Sequence, residues 1–261
     1  MPIPFDLPAA SLTTLLGQIN GALFTGGSAS FFNTDGSLTQ YATTASAIYD
    51  EAVAAHAAGE TWPLWGTCLG FELIGVLGAK LDRTVLTAGW DAENISLPVY
   101  WRSPAANTST IWGGSGAVRD SFAPPSSLAM NAHTSAIAPK AFDANAALSS
   151  TFTALATSFD RGGYEFVAAM EGQNGLPIYA TQWHPEKSLF EWFSPSDINH
   201  SREAIVGNAV PAVAFVEQAR QNKRAFADPD EEAAALIYNY QPVFTGLTGS
   251  MFDQCYFFAA Q

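Results

Sequence analysis

The chain is short of cysteine, of positive charge and of long apolar runs. Its 261 residues include 2 cysteines, Cys68 and Cys255. Two cysteines make one bridge at most, so no disulfide framework holds the fold, and a bridge would use up Cys68. Lysine and arginine total 11 against 24 aspartates and glutamates, a net charge of −13. Nucleic acid is therefore not an expected partner, because phosphate binding needs clustered cations. Every apolar stretch is broken by Gly, Pro or charge before it could span a bilayer, so no membrane partner is expected either. The opening "MPIPFDLPAA" has no basic region and no clean apolar region, and no signal peptide is visible in it. The acidic run "DPDEE", 228–232, reads as a solvated turn before a helix. Sequons at Asn94, Asn107 and Asn199 are what a Ser- and Thr-rich chain yields by chance and settle no compartment.

What is present is a globular composition. Hydrophobic residues make up 48% of the chain, with 18 Phe, 7 Trp and 8 Tyr. That is enough for one large core, and no linker divides the chain, so residues 1–261 are expected to form one domain. "INGALFTGG", 19–27, reads as a buried strand running into a glycine loop. Residues 38–60 are Ala-rich and stop at Gly59, the signature of a helix with a glycine end. "TWPLWG", 61–66, reads as a strand and "LGFELIGVLGAKL" as the helix behind it. This strand–helix alternation predicts an α/β fold with a doubly wound, mostly parallel sheet and flanking helices.

The middle, 96–150, reads as strand fragments and long loops. "YEFVAAM", 164–170, and "LPIYATQW", 176–183, read as two strands joined by the turn "EGQNG". From 202 to 221, Val206, Ala209, Val213 and Val216 recur at helical steps and are expected to face the core, with Pro211 bending or interrupting the helix. "QCYFFAA" reads as a terminal strand.

Cys68 sits in "GTCLG", between a strand and a helix. A sharp strand-to-helix turn of this kind projects a nucleophile out of a sheet, with glycines where side chains would clash. The helix N-terminus is expected to favour the thiolate. Taken alone, the motif balances chemistry evenly against a small buried hydrophobe. A cysteine nucleophile needs a base and a group to orient it. His184 follows a buried strand in "QWHPEK", and Glu186 lies two residues on, on the same side of an extended segment. Pro185 fixes the backbone between them. Glu186 can then bind one ring nitrogen of His184 while the other faces the thiol. The oxyanion donors expected are the amide of Leu69 and that of Gly27 or Ser28 in "FTGGS". The paired glycines also have a plain use in making the turn.

Together these residues resemble the γ-glutamyl hydrolases, within the class I glutamine-amidotransferase-like superfamily. The resemblance rests on "INGALFTGG", "WPLWGTCLGFELI", "MNAHTSAI", "YEFVAAMEGQNGLPIYATQWHPEKSLFEW" and "INHSREAI". The elbow and the His-Pro-Glu step occur across the superfamily; "TCLGFE", "QWHPEK" and "INHS" narrow it to the hydrolases. It implies a flavodoxin-like three-layer fold, with Cys68 as nucleophile, His184 as base and Glu186 as orienter. It places His133 in the substrate pocket and Glu72 as structural or substrate-facing, while His56 and His200 are assigned to structure. The implied reaction is hydrolysis of γ-glutamyl bonds in poly-γ-glutamyl folates, without metal or cofactor. The implied setting is extracellular, lysosomal or vacuolar, and the resemblance points towards a homodimer, leaving oligomeric state open. The family opens with a further strand–helix unit, which this chain is expected to lack as an N-terminally truncated gene model or fragment. A glutaminase subunit of an amidotransferase and a non-catalytic binding module are the alternatives.

Overall fold

The computed structural model describes residues 1–192, 196–246 and 252–258. Eight strands lie in its first 181 residues: β1 (Ala22–Phe24), β2 (Leu64–Thr67), β3 (Leu86–Leu97), β4 (Tyr100–Trp101), β5 (Ala129–Ile137), β6 (Phe152–Phe159), β7 (Glu165–Gly172) and β8 (Ile178–Thr181). Six form the main sheet in the order β1-β2-β8-β7-β6-β4. β1, β2 and β8 pair in parallel, and β7, β6 and β4 continue antiparallel. Following those pairings, β1, β2, β8 and β6 point one way and only β7 and β4 oppose them. β3 and β5 form a separate antiparallel pair. Near the C-terminus β9 (Val243–Phe244) pairs with β10 (Gln254–Cys255).

The inner strands of the sheet are buried on both faces. β2 sends Leu64 to one core and Trp65 to the other; β8 sends Ile178 and Ala180 one way and Tyr179 the other. This is the period of two expected of a strand between two layers, and it explains why these strands read as continuous apolar runs. The first layer is built from α1 (Ala9–Leu16), α2 (Gln40–Ala57) and α3 (Leu69–Gly78). Thr39 caps α2, its hydroxyl accepting from the Ala42 amide at 3.2 Å, and Gly59 takes φ +79° just beyond the helix end. α3 lies directly on β2. A Cβ added at Gly66 would sit 2.6 Å from the Gly70 carbonyl oxygen, so only glycine allows the approach.

Four elements differ from the sequence reading. The 96–150 region holds the nine-residue strand β5 as well as helical turns and loops. The helix Arg202–Ala219 runs through Pro211 without a break, and it buries Ala204, Gly207, Asn208 and Pro211. Val206, Val213 and Val216 point outward instead. "DPDEE" begins a helix rather than a turn: Asp228 caps Pro229–Ala235, and Asp230, Glu231 and Glu232 fill its first turn, where negative charge meets the helix dipole favourably. The terminal strand is confined to Gln254–Cys255, and the end of "QCYFFAA" lies outside the described residues.

Candidate active site

The parallel strands β2 and β8 deliver the site at their carboxyl ends, where open α/β sheets gather functional groups. Cys68 caps α3 with φ 51° and ψ −105°. A non-glycine residue in that region stores about 1–3 kcal/mol of strain, held by the packing around it. The Cys68 amide donates to the Thr181 carbonyl at 2.9 Å, which ties the turn to β8. Its thiol points at the Ala132 carbonyl, 3.8 Å away. Both cysteines are free.

Cys68 is 4% exposed, and burial pushes its thiol up to about 12, with the charges of Glu72 and Glu186 adding to the effect. The Leu69 amide and Lys187 pull the other way without prevailing. Desolvation therefore outweighs the helix N-terminus, and the resting side chain is a thiol rather than the expected thiolate.

His184 follows β8. Its amide donates to the Met130 carbonyl at 2.8 Å, and its Nδ1 lies 2.6 Å from Glu186 Oε1. With Nδ1–H given to Glu186, Nε2 is left to exchange a proton. Partial burial works against the Glu186 charge, but the bond from His184, the His184 charge and Lys187 hold the carboxyl below its usual range. Gly26 forms the seat of the imidazole. A Cβ there would lie 2.5 Å from His184 Cε1 and 3.3 Å from Nδ1.

A cleft of about 580 Å³ opens on this edge, lined by Gly27, Ser28, Cys68, Leu69, Glu72 and His133, with Arg83 and Glu93 further along. It thus brings together six of the sequence-selected residues; His184 and Glu186 stand at the neighbouring strand end, outside the lining. The Gly27 and Ser28 amides have no acceptor among the described residues. A larger cavity, about 850 Å³, lies beside β1 and α2, with no cysteine or histidine among the described residues of its wall.

His133 is buried, and burial lowers its pKa to about 4. Its Nδ1 lies 2.9 Å from the Ser135 carbonyl and its Nε2 lies 3.2 Å from Asn131 Oδ1. The neutral ring carries one proton for those two acceptors. Glu72, in the first turn of α3, accepts from Gln182 Nε2 at 3.1 Å, and burial raises its carboxyl to about 7. Gln182 Oε1 is buried without a partner among the described residues. His200 stacks on Trp192 at 3.9 Å and meets the Ser188 carbonyl at 3.1 Å, and His56 lies in the last turn of α2.

Sequence reasoning passed over Gln182, Asn131 and Arg83. Gln182 was open to notice as the polar residue between strand and histidine in "TQWHPEK", and Asn131 stands two residues before His133 in "MNAHTSAI". Behind the histidine, Trp183 donates to Asn208 Oδ1 at 3.0 Å and packs among Trp101, Trp112 and Phe122. This aromatic block packs behind the strand end. Among the described residues, no three His, Cys, Asp or Glu side chains gather as metal ligands, and no helix is long and apolar enough to cross a membrane.

A buried cysteine on a strand-to-helix turn, beside a strand-end histidine bonded to a carboxylate, is the layout of a cysteine hydrolase. The chain belongs to the peptidase C26 family, whose model matches residues 1–186. Gamma-glutamyl hydrolase B of Dictyostelium discoideum is 37% identical to it over 245 residues, 94% of this chain and 68% of that protein. Gamma-glutamyl hydrolase of Homo sapiens is 33% identical over 99% of this chain and 77% of its own length. Gamma-glutamyl hydrolase 1 of Arabidopsis thaliana is 32% identical over 99% of this chain and 71% of its own length.

Proposed function

We propose that this protein hydrolyses γ-glutamyl bonds, with poly-γ-glutamyl folates as substrates, through a thioester on Cys68. The observation that carries the reading is the 2.6 Å His184–Glu186 pair next to a cysteine held at φ 51° on the adjoining parallel strand end. In the first step the Cys68 sulfur attacks the γ-carbonyl carbon while His184 Nε2 takes the thiol proton. Because burial keeps Cys68 protonated, this transfer accompanies attack instead of preceding it. The carbonyl oxygen gathers negative charge, and the Leu69 amide with that of Gly27 or Ser28 stabilises it. As the C–N bond breaks, His184 returns the proton to the leaving amine. Water then attacks the thioester, His184 takes its proton, and cleavage of the C–S bond frees the γ-carboxylate and restores the thiol. Glu186 holds the ring and stabilises the imidazolium formed in each half. The proposed setting is extracellular, lysosomal or vacuolar.

The test is hydrolysis of pteroylpolyglutamates by the purified chain alone, with product tail lengths resolved by mass spectrometry. Wild type and Cys255→Ala should cleave, and Cys68→Ala should not. A Cys68→Ala variant with wild-type turnover would remove the proposal. Cleavage of glutamine only, and only with a second protein present, would mark a glutaminase subunit instead.

A further inference from the structure

We propose that Arg83 binds an α-carboxylate of the poly-γ-glutamyl tail and so sets the enzyme's preference for longer tails. The proposal rests on the reading of the substrate class given above. A poly-γ-glutamate carries one free α-carboxylate per residue, and it approaches a protein whose net charge is −13. The long-range field repels such a ligand, so affinity must come from a local cation in the cleft. Among the described residues, Arg83 is the only lysine or arginine in the lining of the cleft that holds Cys68. Lys187, next to the triad in sequence, is buried outside that lining, its ammonium 5.1 Å from the centre of the Phe252 ring.

The local structure holds the Arg83 guanidinium ready without neutralising it. Arg83 opens a short 3₁₀ turn, Arg83–Val85, capped by Asp82. Asp82 is the nearest acid in sequence, yet both its oxygens are engaged elsewhere. Oδ1 accepts from the Thr84 amide at 3.0 Å and the Thr84 hydroxyl at 2.6 Å, and Oδ2 accepts from Asn145 Nδ2 at 3.1 Å. Among the described residues, no carboxylate lies within ion-pair distance of Arg83. The guanidinium lies over the Phe32 ring, 5.3 Å from its centre, and Phe32 is packed against the core. Gly36 stands beside it, where an added Cβ would lie 3.6 Å from Nη2. A planar fork stacked on an aromatic ring, with its donors unspent among the described residues, suits bidentate capture of a carboxylate. Glu93 lines the same cleft and opposes a second anion there, which makes Arg83 the point where a tail carboxylate can settle.

The experiment compares Arg83→Gln and Arg83→Lys with wild type on pteroyl-triglutamate and pteroyl-diglutamate, and measures tri-γ-glutamate binding by calorimetry in a Cys68→Ser background. Loss of a charge-assisted pair should lower kcat/KM for the triglutamate by about 10- to 100-fold in Arg83→Gln, mostly through KM. The tri- over di-glutamate preference should collapse with it, and Arg83→Lys should recover part of both. Arg83 is exposed, and unchanged melting temperatures report intact folding. A wild-type tail preference in Arg83→Gln overturns the proposal, as does equal tri-γ-glutamate affinity with and without Arg83. The calorimetric arm separates the two readings: a protein that binds the tail through Arg83 but cleaves nothing defeats the hydrolase reading alone, and an Arg83→Gln variant that cleaves and binds the tail as wild type does defeats this one alone.

Discussion

Replacing Gly26 with alanine tests the site at the seat of the imidazole. The added Cβ would sit 2.5 Å from His184 Cε1, 3.3 Å from Nδ1 and 3.4 Å from Nε2. Carbon atoms pack at about 3.5–4.0 Å, so the ring must retreat by roughly 1 Å. It has little room to do so, because Nδ1 is bonded to Glu186 at 2.6 Å and the His184 amide is bonded to Met130. A displacement of about 1 Å between reacting groups costs on the order of 100-fold in rate, or about 2.7 kcal/mol of transition-state stabilisation. Gly26→Ala should therefore lower kcat/KM on a γ-glutamyl substrate by about 100-fold. Gly27→Ala is the control, since its Cβ would meet only Leu69 Cδ2 at 3.4 Å and its amide is kept. Both variants should be assayed on the same pteroylpolyglutamate, with circular-dichroism melts to establish folding. Activity within twofold of wild type in a folded Gly26→Ala would refute the placement of His184 as base.

Three further outcomes follow from the same geometry. Because burial lifts the Cys68 thiol to about 12, its alkylation by iodoacetamide in the free enzyme should keep rising from pH 6 to pH 10, and a plateau reached below pH 7 would show a preformed thiolate. Burial raises Glu72 to about 7 in the folded state, above the ordinary carboxyl value of 4.5, so the native form holds its proton longer than the unfolded chain. Its contribution is then complete below about pH 4.5 and is lost as pH rises to about 7, by up to about 3 kcal/mol; urea titrations across that window should show the slope in wild type and a flatter profile in Glu72→Gln, and identical slopes would refute it. Asn208→Ala leaves the Trp183 indole N–H and the Leu128 carbonyl without the bonds of 3.0 and 2.9 Å that they now make, and should cost about 2–4 kcal/mol by chemical denaturation.

The parts of the molecule legible in the sequence are those whose signal is local. The Gly-flanked Cys68 and the His184-Pro185-Glu186 step each specify a short backbone path, and β2 and β8 read as strands because both faces are buried. β3 gave no such signal. Its 12 residues bury only Ala92 and Leu97, and Gly89 and Asn94 take positive φ where its pairing with β5 shifts register. The helix Arg202–Ala219 misled by its valines. What packs inward is the small face, since a Cβ at Gly207 would meet Phe122 at 2.5 Å. An apolar count rewards bulk, whereas close packing here selects its absence. The contacts of Arg83 and Gln182 were illegible for another reason: they are made with residues distant in the chain, as Glu72 is from Gln182, 110 positions away.

That separation has a consequence for the life of the chain before it is an enzyme. The Cys68 turn is closed over by β8 and β5, segments made long after it. Until they arrive, the thiol is an ordinary solvated cysteine, open to oxidants and electrophiles. Completing the sheet is what masks it, so folding itself acts as the protecting group for the nucleophile. Pulsed alkylation during refolding should find Cys68 reactive early and silent once β8 has docked.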